Sequence, residues 1–461
     1  MEKGLRYAII LLILASFATK FLIIFFNQGM WWDEAVYLGL GRSVADGFYA
    51  LEPGTSIESF RPPLFPFLIS LISGNMVVVR ISVIITSAAS VILTYFLAKQ
   101  MFGRDCALWA ALFLSTSQLF VFFSTKALTE PLFISLVSLS LMFFLKGGKA
   151  RFAIISGVFA GLALVTRYVG TILMVSYFLY FIFLLWKTRK KDDVKKTFIR
   201  FSLLLCGFAL TIIPWLLLSY ASYGSIFGAY FTNFAVYSGS FSSGITEYLT
   251  GFFEFSGPQV VFLIVGLYAA LKVRKESRAQ MPLMFLLFFI PIAFFSVAPH
   301  TEPRYLLSYA PVYALFSGLA LTREFKAAGR SLQYLALLAC AVCLVTGMSM
   351  VWNDRFTGKG LIEAAGYLKE ITSEKDVIMT ESYPYVYYFS GRRAVRFPAV
   401  QDDVAQAIAA QDVKYVLLYK FEPGNPEYTA QYFIGNDKFS RIVSFEQWGD
   451  QEAVIIYKVN P

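Results

Sequence analysis

Two carboxylates stand side by side in Trp31-Trp32-Asp33-Glu34-Ala35-Val36-Tyr37, just past the first long apolar run of the chain. Carboxylate oxygens can bind a divalent cation or take a proton from an attacking hydroxyl. Neighbours on a helix point about 100° apart, so the pair would divide such work rather than share it. On spacing alone, an equal reading makes Asp33 an N-cap and Glu34 a solvated charge.

Further along, Ser124-Thr125-Lys126-Ala127-Leu128-Thr129-Glu130-Pro131 sets Lys126 and Glu130 at i and i+4. That is the spacing of an intrahelical ion pair worth only about 0.2–0.5 kcal/mol. The sharper alternative has Lys126 neutralising a phosphate while Glu130 orients it or binds a metal. His300-Thr301-Glu302-Pro303-Arg304-Tyr305 carries the single histidine of the chain beside a carboxylate and a guanidinium. A lone histidine is more often structural than a ligand, yet a short loop this polar has no packing reason to be so. Arg304 offers a planar fork for a phosphate, and His300 a metal-binding nitrogen. Arg61, Arg80 and Arg167 also fall at the ends of apolar runs, where an ionisable group costs free energy and so marks a candidate site. Arg167 reads equally as a plain anchor, and Tyr383, Tyr385, Tyr387 and Tyr388 as an aromatic face. Lys20 lies inside the first run, where snorkelling is the plain expectation and contact with a lipid phosphate the alternative.

The elements that must hold these residues are membrane helices. Hydrophobic residues make up 57% of the chain and charged residues 15%, and the mean hydropathy is +0.61, which excludes an ordinary soluble globule. Apolar stretches of roughly 17 to 25 residues fall near 5–27, 76–98, 106–124, 130–146, 151–166, 169–186, 198–220, 257–272, 281–298, 305–322 and 331–351, about eleven spans in all. The first lacks a small-residue cleavage site and reads as a retained helix rather than a signal peptide. The net charge of +10 collects in every second connector, which puts the N-terminus inside and the tail outside and leaves no charge patch that asks for nucleic acid. Cys106, Cys206, Cys340 and Cys343 all lie in apolar runs, so no disulfide framework is available, and the CxxC spacing of Cys340 and Cys343 reads as packing.

The domain expectation is therefore a transmembrane catalytic domain over 1–352 and an extracytoplasmic α/β domain over 353–461. Within the first, outer loop 28–75 should hold interfacial helices, with Val36, Leu40 and Val44 on one face. A second outer loop, 221–256, reads as a lid. In the tail, helices are expected over 360–371 and 402–410, and strands over 376–380, 414–419, 441–445 and 453–457. Neither a Gly-rich phosphate loop nor a repeat is present.

Four stretches in this order resemble one family. They are Trp32-Asp33-Glu34-Ala35-Val36-Tyr37, Arg61-Pro62-Pro63-Leu64, Lys126-Ala127-Leu128-Thr129-Glu130-Pro131 and Glu302-Pro303-Arg304-Tyr305-Leu306. They are similar to the polyprenyl-phosphate-sugar-dependent glycosyltransferases of the C-type membrane fold, which include protein O-mannosyltransferases and lipid A aminoarabinose transferases. The resemblance implies Asp33 as catalytic carboxylate, as base or metal-linked group, with Glu34 beside it in the signature. It puts Lys126, Arg304, Arg61 and Tyr305 on the lipid-linked phosphate, and Glu130, His300 and Glu302 near it as candidate ligands of a divalent metal ion. The family often has His where Arg61 stands, so the resemblance does not carry a metal or proton role over to that position. Aminoarabinose transferases usually have a longer chain, so that substrate is not implied.

The expected activity is transfer of a sugar, with inversion, from a dolichyl or undecaprenyl phosphate to a hydroxyl on a lipid, glycan or protein. The expected place is the outer face of the plasma membrane, among membrane lipids, with no nucleotide cofactor and no nucleic acid. The other class to weigh is a transporter or lipid-carrier flippase, which would place polar groups near the midplane and often carry inverted repeats.

Overall fold

A backbone without access to water must satisfy its own peptide groups, and most of the described residues up to 371 do so by folding into helices. The computed structural model describes residues 1–461 except 52–55, 73, 148, 189, 238–243, 273–278, 298–301, 325–329 and 461, with backbone alone at 233–237 and 323–324. Its helices are α1 (Lys3–Ile23), α2 (Trp32–Ala45), α3 (Leu64–Ser70), α4 (Met76–Phe102), α5 (Arg104–Thr116), α6 (Gln118–Phe123), α7 (Glu130–Lys146), α8 (Ala150–Leu164), α9 (Thr171–Lys187), α10 (Lys191–Tyr223), α11 (Gly228–Tyr237), α12 (Ile245–Ser256), α13 (Val260–Leu271), α14 (Met281–Ser296), α15 (Ala310–Leu319), α16 (Arg330–Asn353) and α17 (Lys359–Ile371).

Among the described residues, seven helices are long and apolar enough to cross a membrane: Lys3–Ile23, Met76–Phe102, Tyr168–Lys187, Lys191–Tyr223, Ile245–Leu271, Pro303–Thr322 and Arg330–Asn353. Ala150–Leu164 and Met281–Ser296 are shorter apolar helices. Two sequence expectations are corrected here. The stretch 106–124 is not one helix, because Ser117 adopts ψ 127° and separates α5 from α6. Much of the loop expected over 221–256 is helix: α11 and α12 occupy it, and Tyr248, Gly251, Phe252 and Phe255 bury one face of α12 at helical spacing.

The chain divides into two compact units. The first comprises Met1–Ile24, Glu58–Phe65 and Val79–Val351. Its helices approach closely through small residues, as membrane helices do in the absence of a hydrophobic drive between them. A Cβ on Gly157 of α8 would stand 2.0 Å from Leu204 O, and one on Gly207 of α10 would stand 2.2 Å from Ile154 O. Serines add polar ties: Ser90 Oγ donates to Pro131 O at 2.7 Å, and Ser140 lies 2.9 Å from the Tyr177 hydroxyl. Two helices are broken, at Ser117 and at Gly257 (φ 49°) between α12 and α13. Carbonyls near the second break are met by side chains from elsewhere: Ser117 Oγ donates to Phe255 O at 2.7 Å, and Gln118 Nε2 to Phe253 O and Glu254 O at 2.9 and 2.7 Å. Buried Cys343 donates to Ser256 O at 3.0 Å, and all four cysteines are free thiols.

The second unit comprises Phe25–Ile57, Pro66–Val78 and Trp352–Pro461. Its strands are β1 (Val377–Met379), β2 (Arg393–Val395), β3 (Val413–Tyr419), β4 (Phe439–Gln447) and β5 (Asp450–Val459), in the order β2-β1-β3-β5-β4. The first three are parallel neighbours and the last two pairings antiparallel. Val377, Met379, Val416, Phe433 and Ile455 lie in its core. Arg392, 8% exposed, closes the end of α17 by donating to Lys369 O and Thr372 O at 3.1 and 2.8 Å.

Candidate functional site

In the second unit the acid pair opens α2, but not as the sequence pattern implies. The helix begins at Trp32 with Trp31 in the N-cap place, so Asp33 is a first-turn residue rather than the cap. Glu34 is the third helical residue. It reaches back to accept a hydrogen bond from Trp31 N at 3.0 Å, satisfying one of the amides that a helix start leaves open. Glu34 is fully buried, which removes the solvated-charge reading. Both acids sit at the positive end of the helix dipole, where a negative charge is favoured.

The aromatic residues ahead of the pair hold this end in place. Trp31 Nε1 donates to both carboxylate oxygens of Asp354, at 3.0 and 2.9 Å. The ring of Trp32 meets Tyr383 edge-on with centroids 5.4 Å apart. Tyr385 donates its hydroxyl to Met30 O at 2.7 Å. Burial, reinforced by the charges of Glu34, Glu422 and Asp354, pushes that hydroxyl well above the usual tyrosine range, so it remains a donor. Asp354 and Tyr385 were invisible as partners in the sequence, since each lies more than 300 residues from the acid pair.

The segments that carry the cations belong to the first unit and are tied to one short turn, 165–170. Tyr168 Oη donates to Ser59 O at 2.9 Å, and Leu64 N to Val165 O at 3.0 Å, which clamps the Arg61-Pro62-Pro63 segment from both sides. Arg167 Nη1 reaches Glu130 Oε1 at 2.5 Å and Thr129 Oγ1 at 3.0 Å, fixing the start of α7 four residues after Lys126. Tyr309, the last residue of the 3-10 segment Pro303–Tyr309, donates to Val169 O at 3.1 Å and meets Phe133 edge-on at 6.1 Å. Residues 165–170 thus tie together the three segments that carry Arg61, Lys126 and Arg304. Sequence spacing paired Glu130 with Lys126; the structure pairs it with Arg167 across 37 residues.

Lys126 is fully buried, with its ammonium 5.1 Å from the Phe122 ring centroid. Arg304 pairs with Glu302 and lies 5.9 Å from the Tyr305 ring, which in turn stacks on Phe295 at 4.9 Å. Glu302 N donates to Tyr248 Oη at 3.2 Å. Arg80, 1% exposed, is buried on α4. His300 lies outside the described residues. Both carboxylates that the sequence offers beside it as metal ligands, Glu130 and Glu302, meet a guanidinium instead. Among the described residues no three metal-binding side chains come together. Lys20 is not the exposed, snorkelling lysine that the sequence suggests; it is fully buried against Ser115 and two phenylalanines.

Broken apolar helices with buried cations among them, followed by a small mixed sheet, make a polytopic membrane fold that has matches among known proteins. The family described as dolichyl-phosphate-mannose-protein mannosyltransferase matches residues 61–217. A curated relative, the undecaprenyl phosphate-alpha-4-amino-4-deoxy-L-arabinose arabinosyl transferase of Pseudomonas aeruginosa, is 24% identical over 337 residues. That match spans 68% of this chain and 60% of the length of the relative. The crystal structure of ArnT from Cupriavidus metallidurans bound to undecaprenyl phosphate superposes with a TM-score of 0.73 at 13% identity, covering 98% of this chain and 99% of that one. The archaeal oligosaccharyltransferase AglB from Archaeoglobus fulgidus, in complex with an inhibitory peptide and a dolichol-phosphate, gives 0.60 at 14% identity, covering 90% and 70%.

Proposed function

We propose that this protein transfers a single sugar from a polyprenyl phosphate to an acceptor hydroxyl at the outer face of the cell membrane. The observation that carries the reading is the 165–170 turn, which gathers the segments bearing Arg61, Lys126 and Arg304 within a bundle of apolar helices. Cations held among apolar side chains suit a phosphate on a hydrocarbon chain, and they do so without any nucleotide-binding loop. The charge asymmetry of the connectors supports an outer site and an outer C-terminal tail.

In the reaction the acceptor oxygen attacks the anomeric carbon as the bond from that carbon to the phosphate oxygen breaks. A single displacement inverts the anomeric centre. The proton of the acceptor hydroxyl passes to Asp33, a base at the start of α2. Glu34, committed to Trp31 N, orients that helix start. The departing polyprenyl phosphate keeps the bonding electrons, and Lys126, Arg304 and Arg61, with the Tyr305 hydroxyl, offset its charge. Lipid, glycan and protein hydroxyls all fit this chemistry as acceptors.

Mass spectrometry of lipid-linked sugars in cells lacking the gene tests the proposal. One polyprenyl-phosphate monosaccharide should accumulate, and the wild-type gene should clear it. An unchanged lipid-linked pool would count against it.

A further inference from the structure

Lys20 is one of the buried cations that the proposed reaction leaves unused. It lies inside a span, where an ammonium is costly, and its hydrogen bond to Ser115 O and its contact with the Phe120 ring both fall at the break between α5 and α6. Its Nζ donates to Ser115 O at 3.2 Å, and Ser16, one turn earlier on α1, donates to the same oxygen at 2.6 Å. Ser115 is among the last residues of α5, whose carbonyls lose their intrahelical partners when Ser117 turns away. A cation there also meets the negative end of the helix dipole.

The ammonium is sandwiched as well as bonded. It lies 4.7 Å from the ring centroids of both Phe17 on α1 and Phe120 on α6. Two residues on from Phe120, the ring of Phe122 carries Lys126. The turn that holds Lys126 is built on the carbonyls of α6. Ser124 N donates to Phe120 O at 3.0 Å, Thr125 N and Oγ1 to Phe122 O at 3.2 and 2.8 Å, and Lys126 N to Phe123 O at 3.4 Å. Where α6 sits, Lys126 follows.

We infer that Lys20 is a positioning residue for Lys126: its ammonium clamps the broken α5–α6 helix to α1 and so sets the phosphate-binding lysine. The inference rests on the reading of Lys126 as a donor-phosphate ligand. Lys20→Met keeps the length and apolar stem while removing the charge and the donor, so the bundle should stay folded as α6 loses its anchor.

A double-mutant cycle on the purified full chain tests this, with undecaprenyl phosphate as probe and binding followed by intrinsic tryptophan fluorescence. Thermal unfolding is recorded in parallel. Lys20→Met and Lys126→Met should each weaken binding about tenfold or more, a change of about 1.4 kcal/mol. The double variant should bind no more weakly than Lys126→Met alone, because Lys20 acts only through Lys126. Losses that multiply, or a Lys20→Met variant that binds like wild type while Lys126→Met does not, would overturn the inference alone. Wild-type binding by Lys126→Met would sink the reading beneath it and the inference together. Should Lys20→Met not fold, Lys20→Gln, which keeps a donor for Ser115 O without the charge, takes its place, and unchanged binding by that variant would overturn the inference.

Discussion

Arg167 and Glu130 show how a rim residue is decided by what it touches. Arg167 is 17% exposed at its side chain and Glu130 3%, so neither charge is screened as a surface pair would be. Removing one member of such a pair strands the other, at a cost of about 3–5 kcal/mol. Arg167→Ala should therefore destabilise the protein by roughly that amount, and adding Glu130→Gln should recover much of it. Thermal unfolding of the three variants checks this; an Arg167→Ala protein as stable as wild type would show the pair to be idle. The residue types were legible in the sequence, since ionisable groups at the ends of apolar runs stand out. Their partners were not, because i,i+4 spacing proposes Lys126 for Glu130 while the chain brings Arg167 from a different helix end. Lys20 shows the same limit: an apolar run reveals a buried lysine but not the broken helix that it serves.

Elements were readable where periodicity alone decides them. Strands β3, β4 and β5 fall where alternation in the tail puts them, and α17 where its apolar face recurs. Periodicity failed where a break needs a tertiary partner. Residues 106–124 carry no charge, and side chains from α1 and contacts to α12 meet the interruption at Ser117 in a backbone without water. One closely packed element pair, α8 with α10, rests on missing side chains. Gly207→Leu would drive a branched side chain toward Ile154 O, which a Cβ alone would approach to 2.2 Å, and overpacking of this kind costs about 1–3 kcal/mol. A lower midpoint of unfolding in detergent is the expected result, and an unchanged midpoint would show that the helices can separate freely.

At the scale of the whole molecule, composition fixes a membrane protein and the order of four motifs suggests its class, while the match over nearly the full chain shows the fold alone. Sugar, polyprenol and acceptor are set by pocket contacts that no spacing encodes. The central claim is a displacement at an anomeric carbon with Asp33 as the base. Transfer of labelled sugar from a polyprenyl-phosphate donor in reconstituted membranes tests it most directly, comparing wild type with Asp33→Asn, which keeps the shape and loses the basicity. The account predicts transfer by the wild type and a loss of at least about a hundredfold in the variant, the lower range for a general base. Transfer by Asp33→Asn at the wild-type rate would contradict it.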